Sequence, residues 1–325
     1  MNAEFDLPWL APAREQLRAA LVADRLPSAL LIQIAPGLGG DRLAHWCAAA
    51  MLCARGKVGD PCGECTDCKR VLAHEQPDLM VLSPLEESKE IKVDQVREMS
   101  RELALTSHSG RRKVVIITPA ERLNRNAANA LLKTLEEPAG PATLMLVTGE
   151  ASRLPPTVRS RCMRVTLAAP SRDSLLRWLT AQGGSAPDWA AALDLHGGRP
   201  LDALATDAAS IAGLQRDTHR VLDQALSGGL DPVEIAESWS KDDLPLRVEA
   251  ISNWIRARIE DWAAGRKVLD AHVLFESEES LRELRGWLET PINKSLALER
   301  VLWRLGALGQ RGRSAQPGSG VNRGP

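Results

Sequence analysis

Between residues 28 and 167, short apolar runs alternate with amphipathic helical patterns, and this alternation limits the possible folds more than any other feature. The apolar runs have the length of buried strands, and the stretches between them repeat apolar residues at helical spacing. Parallel strands are joined through such helices, so the pattern predicts an α/β fold with a parallel sheet and helices on both faces. The five predicted strands are residues 30–34, 78–83, 114–118, 143–148 and 163–167.

A glycine-rich turn at residues 34–41 follows the first predicted strand and opens a helix. Its layout is that of a phosphate-binding loop, G-x-x-x-x-G-K-[ST], in which lysine contacts the phosphates and a hydroxyl binds Mg²⁺. Ile34 takes the first glycine position and Gly39 keeps the second. Gly40 replaces the lysine, and Asp41, which would repel phosphate, replaces the hydroxyl residue. The segment alone also fits an ordinary turn between a strand and a helix.

The strand at residues 114–118 lacks a second part of a nucleotide site. In an ATPase of this kind, such a strand ends in acidic residues that hold the Mg²⁺ shell and the attacking water. Thr118 and Pro119 stand at those two positions. Because the lysine and the acidic residues are lost independently on one scaffold, the sequence favours a nucleotide site that has lost its chemistry.

Four cysteines between the first two strands predict a metal site. Cys53, Cys62, Cys65 and Cys68 form the pattern C-x8-C-x2-C-x2-C. Four thiolates at this spacing can surround Zn²⁺ tetrahedrally, which leaves no open position and indicates a structural ion. A redox pair or inert thiols are the alternatives. Cys47 lies on an apolar helix face, where a core role is expected.

Composition excludes several function classes. The formal net charge of the 325 residues is −1, so electrostatic attraction to nucleic acid is not expected to be the main activity of this chain alone. No apolar run approaches the length of a membrane span, and the first residues do not read as a secretory signal. The clustered thiols suit a reducing compartment. Together these features predict a cytoplasmic protein without a membrane partner.

The sequence after residue 168 contains helical patterns only. Residues 169–208 predict a small helical domain, and residues 209–310 predict a second one with wide apolar stripes. One stripe contains Ile251, Trp254, Ile255, Ile259 and Trp262, and another contains Leu298, Val301, Leu302 and Leu305. Residues 311–325 are rich in Arg, Ser, Gly and Pro and predict a disordered tail.

Several segments together resemble one protein family. They are Leu-Pro-Ser-Ala-Leu-Leu at 26–31, the altered glycine loop, the four cysteines, Asn-Ala-Leu-Leu-Lys-Thr-Leu-Glu-Glu-Pro at 129–138 and Arg-Ser-Arg-Cys at 159–162. Over about residues 5–310 the chain resembles the clamp-loader subunits of bacterial DNA polymerase III. The altered loops make it most similar to the delta-prime subunits, rather than to the ATP-hydrolysing gamma/tau subunits.

The resemblance implies an architecture and a set of site residues. The family has an AAA+ core, here residues 1–168, with a zinc module at about residues 53–70 whose ligands fall on Cys53, Cys62, Cys65 and Cys68. The helical lid falls on residues 169–208 and the helical collar on residues 209–310. The nucleotide-sensing arginine of ATP-binding relatives falls on Leu201, with Arg199 offset by two residues.

The Ser-Arg-Cys motif assigns a specific role to one residue. In the family its arginine, here Arg161, is an arginine finger that reaches into the ATP site of the neighbouring subunit. A guanidinium that is always charged suits the charge on a γ-phosphate. A surface salt bridge or a cation at a helix end is the alternative. Arg159 lies close by, but the motif favours Arg161.

The resemblance implies a non-hydrolysing stator in a hetero-pentamer with gamma/tau and delta, which loads the sliding clamp onto primed DNA during DNA replication. The chain would be a component of a DNA-directed DNA polymerase, a nucleotidyltransferase, without a polymerase or ATPase site of its own. It would bind structural Zn²⁺ and no ATP. One alternative is an ATP-hydrolysing gamma/tau-like motor. Another is a zinc-dependent module that binds nucleic acid.

Overall fold

The protein divides into two compact units, Met1–Ser171 and Arg172–Pro325. The computed structural model describes residues 7–55, 59–86, 88–226, 231–266, 271–288 and 293–314. The boundary between the two units falls close to residue 168, where the sequence predicts the end of the core. The further division of the second unit into a lid and a collar stays a prediction.

A five-stranded sheet forms the centre of the first unit. Its strands are β1 (Ala29–Gln33), β2 (Leu79–Leu82), β3 (Lys113–Ile117), β4 (Ala142–Thr148) and β5 (Met163–Thr166). Every neighbouring pair is parallel, and the order across the sheet is β2-β3-β4-β1-β5. The predicted α/β class and parallel sheet are therefore confirmed.

The helices of the first unit cover both faces of this sheet. They are α1 (Ala11–Val22), α2 (Gly40–Leu52), α3 (Thr66–Leu72), α4 (Val93–Ala104), α5 (Arg125–Glu136) and α6 (Pro156–Arg159). Apolar residues of α4 and α5 pack on one face, around Leu31, Val115 and Leu144. The intervening strand residues face the other side, where α2 contacts β1, β3 and β4. Both faces are thus covered, and every residue of β3 and β4 is buried.

The glycine turn lies where a parallel sheet places its ligand sites. It leaves the carboxyl end of β1, and β1 lies between β4 and β5. The connection from β1 leads to β2 at one side of the sheet, and the connection from β4 leads to β5 on the other side of β1. The chain thus reverses its direction across the sheet beside β1, and open α/β sheets bind ligands at such a point, at the carboxyl ends of the strands. This arrangement is the AAA+ core, and the predicted fold class is confirmed.

The second unit is helical throughout its described residues. Its helices are α7 (Arg172–Ala181), α8 (Ala186–Leu195), α9 (Pro200–Leu204), α10 (Ala208–Leu226), α11 (Pro232–Trp239), α12 (Leu244–Ala263), α13 (Ala271–Trp287) and α14 (Lys294–Ser314). The predicted stripes on α12 and α14 meet in one core around Trp254, Ile255 and Leu298. Trp262 does not belong to that core as predicted: it is 44% exposed, because the stripe reaches beyond the packed length of α12.

The carboxyl end corrects one predicted boundary. Helix α14 continues to Ser314, so residues 311–314 are helical, although the tail at 311–325 was expected to be disordered. Arg311 and Arg313 are good helix formers, which allows the helix to propagate past the expected boundary. Residues 315–325 lie outside the described residues. Among the helices described, none has the length and apolar composition needed to cross a membrane.

Candidate functional site: a filled phosphate loop, a cysteine cluster and an exposed arginine

The glycine turn is held tightly against the end of β4. The backbone N–H of Ile34 donates to the carbonyl oxygen of Thr148 at 3.1 Å, which extends the pairing of β1 and β4 by one residue. Gly37 and Gly39 adopt φ values of 74° and 83°, in the left-handed region that favours glycine. The turn therefore depends on glycine at positions 37 and 39.

The space that a phosphate-loop lysine would need is filled. A Cβ atom at Gly40 would lie 2.5 Å from Ile34 Cγ2 and 2.8 Å from Val147 Cγ1, closer than real Cβ contacts allow. Ile34, at the first glycine position of the pattern, thus occupies the volume that opens when residue 40 has no side chain. The two departures from the pattern depend on each other, because the isoleucine fits only against a glycine.

A cleft of about 170 Å³ remains beside this turn. It brings together residues that the sequence analysis associated with the lost nucleotide site: Ile34, Gly40, Asp41, Thr118 and Pro119. No residue that the structure places around this cleft is cationic. A triphosphate needs compensating positive charge, and the residues that line this cleft supply none.

Two supports of the turn were missed by the sequence analysis. The indole N–H of Trp9 donates to the carbonyl oxygen of Leu38 at 2.7 Å, so the segment before α1 braces the loop. Glu121 Oε1 accepts the backbone N–H of Gly149 at 3.2 Å, on the β4 side of the cleft. Neither contact has a local sequence signal, because 29 and 28 residues separate the partners.

The four predicted cysteines form one cluster. Cys53 follows α2, Cys62 lies in the connecting loop, and Cys65 and Cys68 lie at the start of α3. Their sulfur atoms all lie within 4.8 Å of one another, and the two closest recorded pairs are 3.9 and 4.0 Å apart. Four sulfurs bound to one ion at about 2.3 Å would lie about 3.8 Å apart, so the donor set fits a tetrahedral metal.

Backbone groups also prepare the cluster for thiolate charge. The N–H groups of Cys62, Cys65 and Cys68 each donate to a cysteine sulfur, at 3.5, 3.3 and 3.4 Å. Burial acts to raise the pKa of Cys65, but hydrogen bonds from the backbone of Cys68 and Ala54 and from neighbouring thiols outweigh it and lower the pKa to about 6. Burial and the neighbouring thiols act the other way on Cys68 and raise its pKa. The four sulfur atoms lie close enough together to hold one metal ion, which would bind them as thiolates. Cys47 lies apart, and burial raises its pKa to about 12, as expected of a core thiol.

Arg111 ties the cysteine module to the sheet. Its NH1 donates to the carbonyl oxygen of Leu52 at 2.7 Å and lies 3.8 Å from Asp67 Oδ2 on α3. Asp67 also accepts from the side-chain amide of Gln76 at 3.1 Å, just before β2. Arg111 therefore has defined structural contacts on both the α2 and α3 sides of the cysteine cluster.

Arg161 stands on the surface just after α6, away from the filled cleft. Its Nε donates to Glu136 Oε1 at 2.6 Å, its NH2 also contacts that oxygen, and its NH1 donates to the carbonyl oxygen of Thr157 at 2.9 Å. The side chain is 34% exposed. The contacts thus include the salt bridge and helix-end contact that the sequence analysis kept as alternatives, and they leave part of the guanidinium accessible.

Cys162 anchors the segment that carries Arg161. It is buried in the core of the first unit, and its thiol donates to the carbonyl oxygen of Val158 at 3.4 Å. Burial raises the pKa of Cys162 to about 11, so this thiol is a packing group rather than a nucleophile.

Arg159 differs from Arg161: it is half-buried, and its Nε has no hydrogen-bond partner among the described residues.

Comparison with known proteins decides the family. The profile of the family described as DNA polymerase III, delta subunit, matches residues 10–171. A protein from Pseudomonas aeruginosa called DNA polymerase III subunit delta' is 38% identical over 221 residues, which cover 67% of each chain. One of the same name from Haemophilus influenzae is 32% identical over 82% of this chain and 79% of its own length.

This chain belongs to the DNA polymerase III delta-prime subunit family. The predicted resemblance is therefore confirmed. The chain is also 35% identical, over 153 residues that make up 47% of its length, to a tau/gamma subunit from Haemophilus influenzae, 22% of whose length is covered. A gamma subunit-related protein from Thermotoga maritima has a structure that matches 91% of this chain and 99% of its own, at 19% identity and a TM-score of 0.49.

In this chain, the position expected for a nucleotide-sensing arginine is occupied by Leu201 on α9. Arg199, two residues earlier, contacts groups of its own segment. Its Nε donates to the carbonyl oxygen of His196 at 2.8 Å and lies 3.1 Å from Asp202 Oδ2. Both groups satisfy Arg199 locally. The assignment of Arg161, the zinc ligands and the lost ATP site as functional features stays a prediction.

Proposed function

We propose that this chain is a non-hydrolysing subunit of the DNA polymerase III clamp loader and supplies Arg161 to the ATP site of a neighbouring gamma/tau subunit. Membership of the delta-prime family supports the place in the clamp loader. In this function the chain acts as a stator, and its arginine stabilises the charge that develops on the γ-phosphate of its neighbour.

The filled glycine loop carries the non-hydrolysing part of the proposal. Ile34 and Val147 occupy the space next to Gly40, where a lysine would be needed. Thr118 and Pro119 supply no carboxylate for Mg²⁺ at the opposite side of the cleft. An ATPase needs both groups, so the gamma/tau-like motor is the weaker candidate even though part of the chain is similar to a tau/gamma subunit.

The cysteine cluster is proposed to bind one structural Zn²⁺. All four donors are thiols, Cys53, Cys62, Cys65 and Cys68, and this donor set suits tetrahedral zinc and leaves no position for a substrate. The metal would fold the segment between α2 and β2. It would have no part in ATP hydrolysis.

The proposed partners are gamma/tau and delta in a hetero-pentamer, and through that complex the sliding clamp and primed DNA. The chain would work in the cytoplasm during DNA replication as a component of the DNA-directed DNA polymerase, with polymerisation done by other subunits. The net charge of −1 argues against the remaining candidate, a zinc module that binds nucleic acid by itself.

Substitution of Arg161 tests the arginine-finger role. In a complex reconstituted with gamma/tau and delta, Arg161→Ala is expected to lower ATP turnover at the one site it serves by about 10³-fold, and total DNA-stimulated turnover by the share of that site. Arg153→Ala removes another exposed arginine side chain of the first unit, 53% exposed, and serves as the control. Unchanged turnover for Arg161→Ala, or a loss that follows Arg159→Ala instead, would remove the assignment.

A further inference from the structure

Glu136 is a carboxylate in an unfavourable place. It is the last residue of α5, where the helix carbonyl groups already give a partial negative charge, so a second negative charge is disfavoured there. The last turn of α5 contains one cation, Lys133, and the cation that pairs with Glu136 comes from another element. Arg161 Nε donates to Glu136 Oε1 at 2.6 Å, and Arg161 NH2 contacts the same oxygen. The pair joins two segments that are 25 residues apart in the sequence.

The contacts of Arg161 restrain its guanidinium from two directions. Glu136 binds the edge formed by Nε and NH2, and the carbonyl oxygen of Thr157 accepts from NH1 at 2.9 Å. A planar group held at two separate points has a defined plane. These contacts use three of the five N–H donors of an arginine, so donors remain on the terminal nitrogens for a further anion.

Stability alone does not account for this pair. The side chains of Glu136 and Arg161 are 51% and 34% exposed, and ion pairs at such exposure contribute little to folding. The pair can instead act by orienting the guanidinium of Arg161. A free arginine side chain loses much rotamer freedom when it is fixed, and a partner that restricts it beforehand reduces that loss at the moment of catalysis.

We propose that Glu136 is a positioning residue for Arg161, holding the guanidinium with its remaining N–H groups presented to the phosphate of the neighbouring subunit. The inference rests on the proposed arginine-finger function. It adds to the site a residue from the end of α5, which lies outside the Ser-Arg-Cys segment.

The test uses the reconstituted complex with gamma/tau and delta. The gamma/tau subunits used in the complex carry alanine in place of their own matching arginine. The measured ATP turnover then reports on Arg161 as the arginine finger. DNA-stimulated kcat and the KM for ATP are compared for Glu136→Ala, Glu136→Gln, Arg161→Ala and the double variant Glu136→Ala/Arg161→Ala. Glu137→Ala, which removes the same charge from the next exposed residue, is the matched control.

We expect Glu136→Ala to lower kcat about tenfold and to leave the KM for ATP nearly unchanged, because orientation acts on the transition state. Glu136→Gln keeps an acceptor for Nε–H and is expected to recover much of the loss. The double variant should be no slower than Arg161→Ala alone, since Glu136 acts only through that arginine.

Other results would overturn the inference in distinguishable ways. If Arg161→Ala lowers kcat and Glu136→Ala does not, the arginine finger stands and the positioning role is wrong. Additive losses in the double variant, or equal losses in Glu137→Ala, would show that Glu136 acts by some other route. If Arg161→Ala itself has no effect, the proposed function fails, and the inference fails with it.

Discussion

At the scale of single residues, the altered glycine loop shows two substitutions that are explained only together. Ile34 and Gly40 each break the phosphate-loop pattern, and the 2.5 Å approach of Ile34 Cγ2 to a Cβ at residue 40 connects them. A loop that has gained an apolar side chain at one position has lost the room for any side chain at the other. Restoring a single residue of the pattern is therefore not expected to restore nucleotide binding.

We predict that Gly40→Lys destabilises the protein by about 1–3 kcal/mol through overpacking and does not create ATP binding. Thermal unfolding and calorimetric titration of the isolated chain with ATP would measure the two effects. Ile34→Gly/Gly40→Lys is the matched variant: it removes the clash with Ile34 and should recover part of the stability. Tight ATP binding by the unaltered chain or by Gly40→Lys would contradict the interpretation of a filled loop.

Asp78 is a single residue whose hydrogen bonds make a pH-dependent contribution to stability. The side chain is buried and accepts the backbone N–H groups of His108 at 2.7 Å and Ser109 at 2.8 Å. Burial acts to raise the pKa of Asp78, but hydrogen bonds from the Ser109 side chain and from these backbone groups outweigh it and hold the pKa below its ordinary value. The folded chain therefore binds a proton here less readily than the unfolded chain.

We predict that Asp78→Asn lowers the free energy of unfolding by about 1–3 kcal/mol at pH 7, because one backbone N–H loses its acceptor. The depressed pKa means that the contribution of Asp78 is fully present above the unfolded value of about 3.9 and is lost as the pH falls through the folded value. Urea unfolding at several pH values should show the two proteins converge below about pH 4. Asp94→Asn, at an 85% exposed side chain, is the control and is expected to change the free energy of unfolding at pH 7 by less than Asp78→Asn does.

At the scale of elements, the cysteine module is a short segment stabilised mainly by its ends. Cys53 follows α2, and Cys65 is the N-cap of α3, where its sulfur accepts the backbone N–H of Cys68. Helix α3 has only seven residues, too few for an isolated helix to be stable. A bound metal would therefore contribute to the order of the whole module.

We predict that Cys65→Ser lowers the bound zinc from one ion per chain towards zero and lowers the melting temperature. The hydroxyl is a poor replacement for a thiolate ligand, and the variant loses a sulfur that contacts Cys53 Sγ and accepts the backbone N–H of Cys68. Elemental analysis after gel filtration measures the metal. Cys47→Ala, a core cysteine outside the cluster, should keep its zinc, and zinc loss in that variant would contradict the assignment of ligands.

At the scale of the whole molecule, each of the two units has a hydrophobic core among its described residues. One surrounds the sheet and contains Leu31, Val115 and Leu131, and the other lies among the carboxyl-terminal helices around Trp254. The division falls between Ser171 and Arg172. The features of the proposed site, the filled loop, the cysteines, Glu136 and Arg161, all belong to the first unit.

We predict that a fragment ending at Ser171 folds cooperatively and binds one zinc ion, because the first unit has its own core. Urea unfolding followed by near-ultraviolet circular dichroism would test folding, since Trp46 is buried in this unit. The same fragment without zinc is the comparison. A fragment that is unfolded with and without the metal would show that the first unit depends on the second.

The sequence by itself determined the strand and helix alternation, the grouping of the four cysteines and the family motifs, because periodicity, spacing and short motifs are local properties of the chain. Tertiary structure alone decided how Ile34 excludes a side chain at residue 40 and how Glu136 meets Arg161. Those relations arise where β4 lies beside β1 and where the end of α5 meets the end of α6. Contacts between distant segments depend on packing distances, which no local pattern encodes.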